Sequence, residues 1–264
     1  KKSTMKKKLL FLSALIVPFL VKGCAFWQSE PEPEPPVEKV VREITINQPV
    51  ERFTALNMSG PFDIKLKQAQ QHQVKLTGPT YLVEQVNVEE INEVLMVNLP
   101  PQDTTEQIPV INVEIIAPNI HEIILDGTHG FNAEHFDSEV LTLKLRHFNH
   151  ANLSGKLGIR HIKLSDNGRL SLRGVSSRRI DITTSGQTHL ELRGMVNLGK
   201  LNFSGNSTVD MYWLESPELI IRGSDQGVAR LAGIAGDLHA DLTQNAYLDA
   251  RALRAKEAYV KAFD

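Results

Sequence analysis

The 264-residue sequence contains a single cysteine, Cys24, so no disulfide can form within the chain and no zinc site can rest on thiolates. Aromatic residues make up only 6% of the chain, and the apolar residues are mostly Leu, Ile and Val. This composition favours thin, regular β-strands over a bulky globular core. The formal net charge is -2, so the chain as a whole has no electrostatic attraction to nucleic acid or to an anionic membrane surface.

The apolar run near the N-terminus is shorter than the roughly twenty residues that a membrane-spanning helix needs. It extends from Leu9 to Val21 and follows the basic cluster Lys6-Lys7-Lys8. A basic start followed by a short apolar stretch is typical of a secretory signal. We therefore expect residues 1–23 to be a signal peptide, with Met5 as the natural start.

The only cysteine comes directly after this segment, in the sequence Val21-Lys22-Gly23-Cys24. This sequence resembles the lipobox of bacterial lipoproteins, in which the cysteine is acylated with fatty acids such as palmitate and becomes the first residue of the mature protein. The resemblance implies that Cys24 carries a lipid anchor, and Ala25 after it favours the outer membrane. The alternative is a simple signal peptide with an incidental cysteine.

Residues 24–40 combine the predicted lipid-bearing cysteine with a tether. Proline and glutamate alternate in the sequence Glu30-Pro31-Glu32-Pro33-Glu34-Pro35-Pro36. Such a segment forms neither a helix nor a strand ladder and is expected to be extended and solvated. We interpret it as a spacer that holds the folded part away from the membrane.

From residue 41 to about residue 125 the sequence has the alternating apolar pattern of short β-strands. Turn signals such as Ser59-Gly60-Pro61 and Gly78-Pro79 separate the strands. This N-terminal β segment is expected to lie in front of a repeat region and to cap one end of it.

Residues 126–264 read as one short unit repeated about every 19–20 residues. One mark is Leu-x-Gly followed by an apolar residue, as in Leu172-Arg173-Gly174-Val175, and a second alternating strand and a polar turn occupy the rest of each unit. We align the second strand as Ile162/Leu164, Ile180/Ile182, Leu201/Phe203, Leu219/Ile221 and Leu238/Ala240. The pattern predicts an all-β fold, a β-solenoid resembling a parallel β-helix. The last residues predict either a capping helix or a final strand at 258–263.

The β segment also carries a family resemblance, in Arg52-Phe53, in Ser59-Gly60-Pro61-Phe62-Asp63-Ile64 and in Val74-Lys75-Leu76-Thr77-Gly78. These motifs, followed by repeats punctuated with Ser, Gly and Asn, resemble the auto-transporter adhesin head GIN domain family over residues 42–250. The resemblance implies a β-solenoid-like envelope protein, often a lipoprotein, with no established catalytic residues.

Four residues of the repeat region are candidate ligand contacts. Arg173 and Arg193 occupy equivalent outward positions one coil apart and can form a basic stripe for an anionic glycan or lipopolysaccharide, or simply a solvated, charge-balanced face. The pair Tyr212-Trp213 stands where neighbouring units have Leu-x-Gly. It can stack on a sugar ring, or it can fill the edge of the coil as core.

The histidines His129, His135, His147 and His150 cluster in sequence, but no carboxylates stand at ligand spacing, so surface or corner positions are favoured over a metal site. Asp126, His129 and Ser138 can be written as a hydrolytic triad, although no nucleophile-elbow motif accompanies them. We predict neither a metal nor a cofactor.

We therefore expect a membrane-anchored envelope lipoprotein of the outer membrane, with an adhesin-like or interaction role and no catalysis. Its partners are expected to be the membrane, through the lipid, and a glycan or protein ligand, but not nucleic acid. The alternative is a carbohydrate-binding or carbohydrate-active β-helix protein. That alternative gains support if two carboxylates project from equivalent positions of neighbouring coils.

Overall fold

The computed structural model describes residues 42–105 and 107–263, which form one large sheet and one short helix. Cys24 and the predicted signal peptide and tether lie outside the described residues. The strands that begin the chain are β1 (Glu43–Gln48), β2 (Ala55–Ser59), β3 (Phe62–Gln68), β4 (Gln73–Pro79), β5 (Asn87–Ile91), β6 (Val94–Asn98), β7 (Ile111–Ala117) and β8 (Glu122–Asp126), with α1 (Thr80–Val83) after β4. In this part of the chain, no helix has the length and apolarity to cross a membrane.

The remaining strands pair in parallel, and all of them except the four-residue β9 are longer than those before them. They are β9 (Gly130–Ala133), β10 (Ser138–Arg146), β11 (His150–Ser165), β12 (Asn167–Thr184), β13 (Gln187–Phe203), β14 (Thr208–Gly223), β15 (Val228–Thr243) and β16 (Tyr247–Phe263). From β11 onward each strand pairs with the next, as coil stacks on coil. The predicted all-β solenoid is confirmed, with about 7 turns of roughly 20 residues.

Register shifts divide a coil into pairing segments separated by corners. Between β11 and β12 the shifts fall at Ser154/Leu157 and at Leu157/His161. Within a segment alternate residues point inward, so apolar side chains of successive coils stack into buried columns. One such column, in register and buried throughout, contains Leu153, Leu172, Leu192, Met211 and Leu231.

The alignment predicted for the second strand of the repeat is wrong by two residues in some coils. Ile162 pairs with Ile182, and not with Ile180, while Ile182 pairs with Leu201. Both isoleucines of the second coil are buried. A shift of two residues keeps the same side chains facing inward, so apolar alternation cannot distinguish the two registers.

A polar corner repeats in every coil, and one residue at each of these corners takes the left-handed backbone conformation. These residues are Gly127, His147, Asp166, Gly186, Gly205, Asp225 and Gln244. Side chains bridge successive coils at this corner. Asp225 N–H donates to Gln244 Oε1 at 2.7 Å, and Gly205 N–H donates to Asp225 Oδ2 at 3.0 Å. Corner residues therefore satisfy backbone donors between coils, as the Ser, Asn, Asp and Thr content predicts.

Antiparallel pairing replaces parallel pairing at the N-terminal end of the solenoid. Strand β4 pairs antiparallel with β1 and β7, and β5 pairs antiparallel with β6. A side chain of this first segment also reaches across toward the repeats, because Gln68 Nε2 donates to the carbonyl of Asp137 at 2.9 Å. Strand β8 continues the same sheet into β10, so the sheet runs through both predicted segments.

The C-terminal end is a strand, and the alternative of a capping helix is wrong. Strand β16 pairs with β15 over most of its length and is longer than predicted. No second strand covers its other edge within the described residues. Tyr259, Val260 and Phe263 are more than half exposed on this last coil.

Candidate functional site

The four predicted ligand-contact residues lie together at one corner of the solenoid. Arg173 pairs in register with Arg193, and Arg193 pairs with Tyr212, so these three side chains project from equivalent positions of three successive coils. Adjacent coils in a parallel sheet are about 4.8 Å apart. Trp213 follows Tyr212 directly and occupies the corner itself.

Trp213 stands at a corner where both flanking coils also have a glycine, although the strands are out of register there, since Gly233 pairs with Leu214. The φ angle of Trp213 is +71°, whereas the flanking coils have Gly194 with φ +153° and Gly233 with φ +140°. A side chain at Gly233 would bring its Cβ to 2.2 Å from the carbonyl oxygen of Leu214, so the tight corner excludes one there. A bulky residue with a positive φ is an outlier, and its conformation is held only by the surrounding structure.

The side chains around this corner are apolar and exposed. Trp213 is 75% exposed, Met195 66%, Ile234 60% and Tyr212 44%. The alternative in which Tyr212 and Trp213 fill the coil edge as core is therefore wrong. Together with Arg193, Glu215 and Arg254 they line a groove of about 740 Å³, which we call the Trp213 groove.

The arginines in and beside the Trp213 groove differ in whether they have an ion-pair partner. Arg193 is held by Glu191, to which its Nε donates at 2.7 Å and its Nη2 lies at 2.6 Å. Arg173 and Arg254 are exposed and form no ion pair within the described chain. The solvated, charge-balanced face therefore accounts for Arg193, but it leaves the guanidinium groups of Arg254 in the groove and of Arg173, one coil beyond Arg193, without a carboxylate partner in the described chain.

Two carboxylates on the same face come from equivalent positions of neighbouring coils. Glu191 and Asp210 pair in register, which is the arrangement that would support action on a carbohydrate. Both are engaged: Glu191 by Arg193, and Asp210 by Arg230, whose Nη1 donates at 2.9 Å. That hydrogen bond raises the pKa of Arg230.

A histidine beside these carboxylates adds little positive charge. His189 Nε2 lies 3.5 Å from Asp210 Oδ2. Burial lowers the pKa of His189, because it disfavours the imidazolium, and the nearby Arg169 lowers it further. His189 is therefore neutral near pH 7, and the arginines carry the positive charge of this face.

Of the four histidines in the 129–150 region, His129, His135 and His147 lie at bends, and His150 is the first residue of β11. His147 and His135 have positive φ angles, and the ring centroids of His129 and His150 are 6.1 Å apart. No group of three or more potential ligands that could hold a metal is found among residues 42–105 and 107–263.

The candidate hydrolytic triad of Asp126, His129 and Ser138 does not form in the structure. Asp126 accepts from Arg146 at 2.6 Å and contacts His147 at 3.1 Å. His129 instead meets Asn149, and the buried hydroxyl of Ser138 donates to the carbonyl of Ile120 at 3.1 Å. Each member therefore has a structural partner outside the proposed relay.

Sequence reasoning missed Met195, Ile234 and Arg254 as members of the groove. The signal was present for two of them, because Met195 and Ile234 are the apolar residues that follow the repeated Leu-x-Gly. The equivalent residue Val175 is buried, so the pattern alone does not separate core from surface at this position.

Comparison with known proteins identifies a family whose sequence pattern this chain shares. The family model described as "Putative auto-transporter adhesin, head GIN domain" matches residues 52–222. No curated protein matches.

Solved structures share the fold. A "putative adhesin" from Parabacteroides distasonis has a TM-score of 0.61 at 14% identity, covering 84% of this chain and 95% of that one. A second one from Parabacteroides merdae has a TM-score of 0.55 at 15% identity, with the same coverage. A "putative lipid binding protein" from Parabacteroides distasonis has a TM-score of 0.55 at 8% identity, covering 83% of this chain and 94% of that one.

At these identities the solved structures establish the fold alone. The family match is the stronger finding, because it spans more than half of the chain and includes the motifs of β2 to β4 together with Arg173, Arg193, Tyr212 and Trp213. The protein therefore belongs to the auto-transporter adhesin head GIN domain family.

Proposed function

We propose that this protein is a membrane-anchored, non-catalytic binding protein of the bacterial cell envelope with an adhesin-like role. The observation that carries the proposal is the Trp213 groove, where a strained aromatic residue and two exposed aliphatic side chains face solvent on an otherwise regular scaffold. Soluble proteins rarely expose contiguous apolar surface without a use for it. Family membership and the adhesin names of structural neighbours agree with this role.

The anchor in this proposal is a lipid on Cys24, which the lipobox-like sequence before it supports. Two or more acyl chains bind stably to a bilayer, whereas a single chain binds only marginally. The proline- and glutamate-rich segment then acts as a spacer. We assign the protein to the outer membrane because Ala25 follows the cysteine.

The anchor is tested by producing the full chain and its Cys24→Ala variant in a Gram-negative host. We expect wild type in the membrane fraction, with an intact mass that shows acylation and an N-terminus at residue 24. The variant is expected to be unprocessed or free of lipid. Wild-type protein released without lipid would refute the anchor.

The adhesin-like role is tested by attachment of cells that display the protein to surfaces coated with glycans, mucin or matrix proteins. We expect more attachment than for cells with an empty vector, and a loss of this gain with Trp213→Gly. Tyr81→Ala is the matched control, because Tyr81 is an exposed aromatic residue far along the chain, on α1. Equal attachment with the empty vector would refute the role.

A second candidate function is catalysis on a carbohydrate, which the in-register pair Glu191 and Asp210 favours. Glycoside hydrolysis uses two carboxyl groups, one of which must donate a proton. Both carboxylates are already engaged by arginine side chains, Glu191 by Arg193 and Asp210 by Arg230, which is why we prefer binding. Release of reducing ends from a polysaccharide panel by wild type, and its loss in Asp210→Asn, would reverse this preference.

A further inference from the structure

The Trp213 groove has the size and the mixed lining of a small-ligand site. Its volume of about 740 Å³ lies within the range of about 300–1,000 Å³ typical of ligand pockets. Such sites combine apolar walls with a few polar groups that fix orientation. Here Trp213, Met195 and Ile234 supply the apolar wall, and Glu215 and Arg254 supply the polar groups.

The backbone conformation of Trp213 points to a role for its side chain. Both flanking coils have a glycine at this corner, and glycine would adopt a φ of +71° without strain. Strained residues of this kind cluster at ligand sites, where function maintains them. The indole is 75% exposed, so packing within the coil does not explain its presence.

Arg254 lines the Trp213 groove, and Arg173 lies one coil beyond the groove residue Arg193, with which it pairs in register; neither forms an ion pair within the described chain. Arg173 belongs to β12 and Arg254 to β16, four coil spacings apart, or about 19 Å at about 4.8 Å per coil. A ligand that meets both guanidinium groups must be elongated along the solenoid axis and carry repeated negative charge. Arginine binds carboxylate and sulfate-like groups through paired hydrogen bonds.

We infer that the Trp213 groove binds a linear glycan that carries acidic groups, and this inference rests on the proposed binding function. A sugar ring presents C–H groups to the faces of Trp213 and Tyr212, while its acidic substituents meet Arg173 and Arg254. Its hydroxyl groups donate to the exposed carboxylate of Glu215.

Glu215 also distinguishes a glycan from a bilayer as the occupant. Inserting Trp213 and Ile234 into lipid would carry the neighbouring carboxylate toward the apolar phase, and an unpaired charge there is costly. Within the described chain Glu215 forms no ion pair that would offset this cost. A hydrated sugar chain leaves the same carboxylate hydrogen-bonded.

The test is calorimetric titration of the full chain in detergent with polygalacturonate, alginate and hyaluronate. Neutral dextran and fully methyl-esterified polygalacturonate serve as uncharged probes, and an anionic phospholipid added to the same detergent micelles serves as the membrane probe. We expect at least one acidic glycan to bind, with affinity that falls as salt rises, and its neutral counterpart to bind at least tenfold more weakly.

Variants assign the binding to the groove. Trp213→Gly is expected to weaken binding at least tenfold, and the double variant Arg173→Gln/Arg254→Gln is expected to weaken it and to reduce its salt dependence. Arg42→Gln/Arg52→Gln is the matched control for the loss of two charges, since both residues lie near the opposite end of the chain and are exposed. Tyr81→Ala controls for the loss of an exposed aromatic residue.

Three results would overturn the inference: no binding to any acidic glycan, unchanged binding by Trp213→Gly, or binding to the anionic phospholipid alone. The cell-attachment assay separates this failure from failure of the proposed function. If display still increases attachment while no acidic glycan binds, the adhesin-like role stands and the ligand class is wrong. If neither is seen, both are wrong.

Discussion

Trp213 is the residue at which the repeat departs from its own rule. Neighbouring coils use glycine at this corner, because a Cβ would meet the backbone of the preceding coil. A non-glycine residue in a sparsely populated conformation costs about 1–3 kcal/mol. The corner of β14 accommodates the indole through a register shift, with Tyr212 and Trp213 between the paired positions Met211 and Leu214.

Replacing Trp213 with glycine is expected to raise the free energy of unfolding by about 1 kcal/mol or leave it unchanged, because glycine adopts positive φ without strain. Urea denaturation followed by circular dichroism measures the change. The same variant is expected to lose ligand binding, so stability and function should move in opposite directions.

Gly233→Ala is the matched control at the same corner one coil away. Its Cβ would lie 2.2 Å from the carbonyl oxygen of Leu214 at a φ of +140°. We expect a loss of about 2 kcal/mol or more, from overpacking and backbone strain together. A large loss of stability in Trp213→Gly would show instead that the indole packs as core.

At the scale of the strand, a large side chain on one coil is matched by a small residue at the paired position of the next coil. Phe203 on β13 is buried and pairs in register with Gly223 on β14. A Cβ on Gly223 would meet the Phe203 ring at 2.5 Å. The large side chain of one coil therefore occupies the space that a side chain of the next coil would fill, as close packing requires.

Gly223→Ala is expected to destabilise the protein by about 1–3 kcal/mol, since the added methyl group overpacks this layer. In a Phe203→Leu background the same change should cost less, because the shorter side chain leaves room. A double-mutant cycle of unfolding free energies measures the difference, expected at about 0.5–3 kcal/mol.

Gly78→Ala is the control for this cycle, because its Cβ would meet Val83 only at 3.4 Å and lies on β4, far along the chain. Its cost should be the same with Phe203 or Leu at position 203. Equal costs of Gly223→Ala in both backgrounds would show that the two positions relax independently.

At the scale of the whole molecule, the solenoid is a stack in which each coil contacts mainly its neighbours. Stability in such a stack is approximately a sum of coil and interface contributions. Because His189 pairs in register with Thr208, the segment His189–Ser207 is one complete coil. Removing it joins Thr188 to Thr208. Thr208 occupies the same position in its coil as His189 does in the coil before, so the register of the later coils is kept.

Deletion of His189–Ser207 is therefore expected to leave a folded, soluble β-solenoid that unfolds cooperatively at a lower urea concentration. Circular dichroism and urea denaturation measure this outcome. Deletion of His189–Leu198, about half a coil, should abolish folding, because it breaks the register of every later coil. If both deletions fold equally well, the coils are not the units of this structure.

The sequence by itself determined the fold class, the coil length and the polar corner, because these depend on local features. Alternating side chains set which residues face the core, and Gly, Asn or Asp residues such as Gly205 and Asp225 mark the turns. The candidate residues Arg173, Arg193, Tyr212 and Trp213 also followed from sequence, since equivalent positions of a repeat must stack.

Only the tertiary structure decided the register and the exposure of those residues. A shift of two residues leaves the inward face unchanged, so pairing of Ile162 with Ile182 could not be read from alternation. Whether Trp213 and Met195 face the core or solvent depends on how the chain turns at the corner. The groove exists because stacking brings together residues of four coils, on β13 to β16, that are far apart in sequence, and it places Arg173 on the next coil.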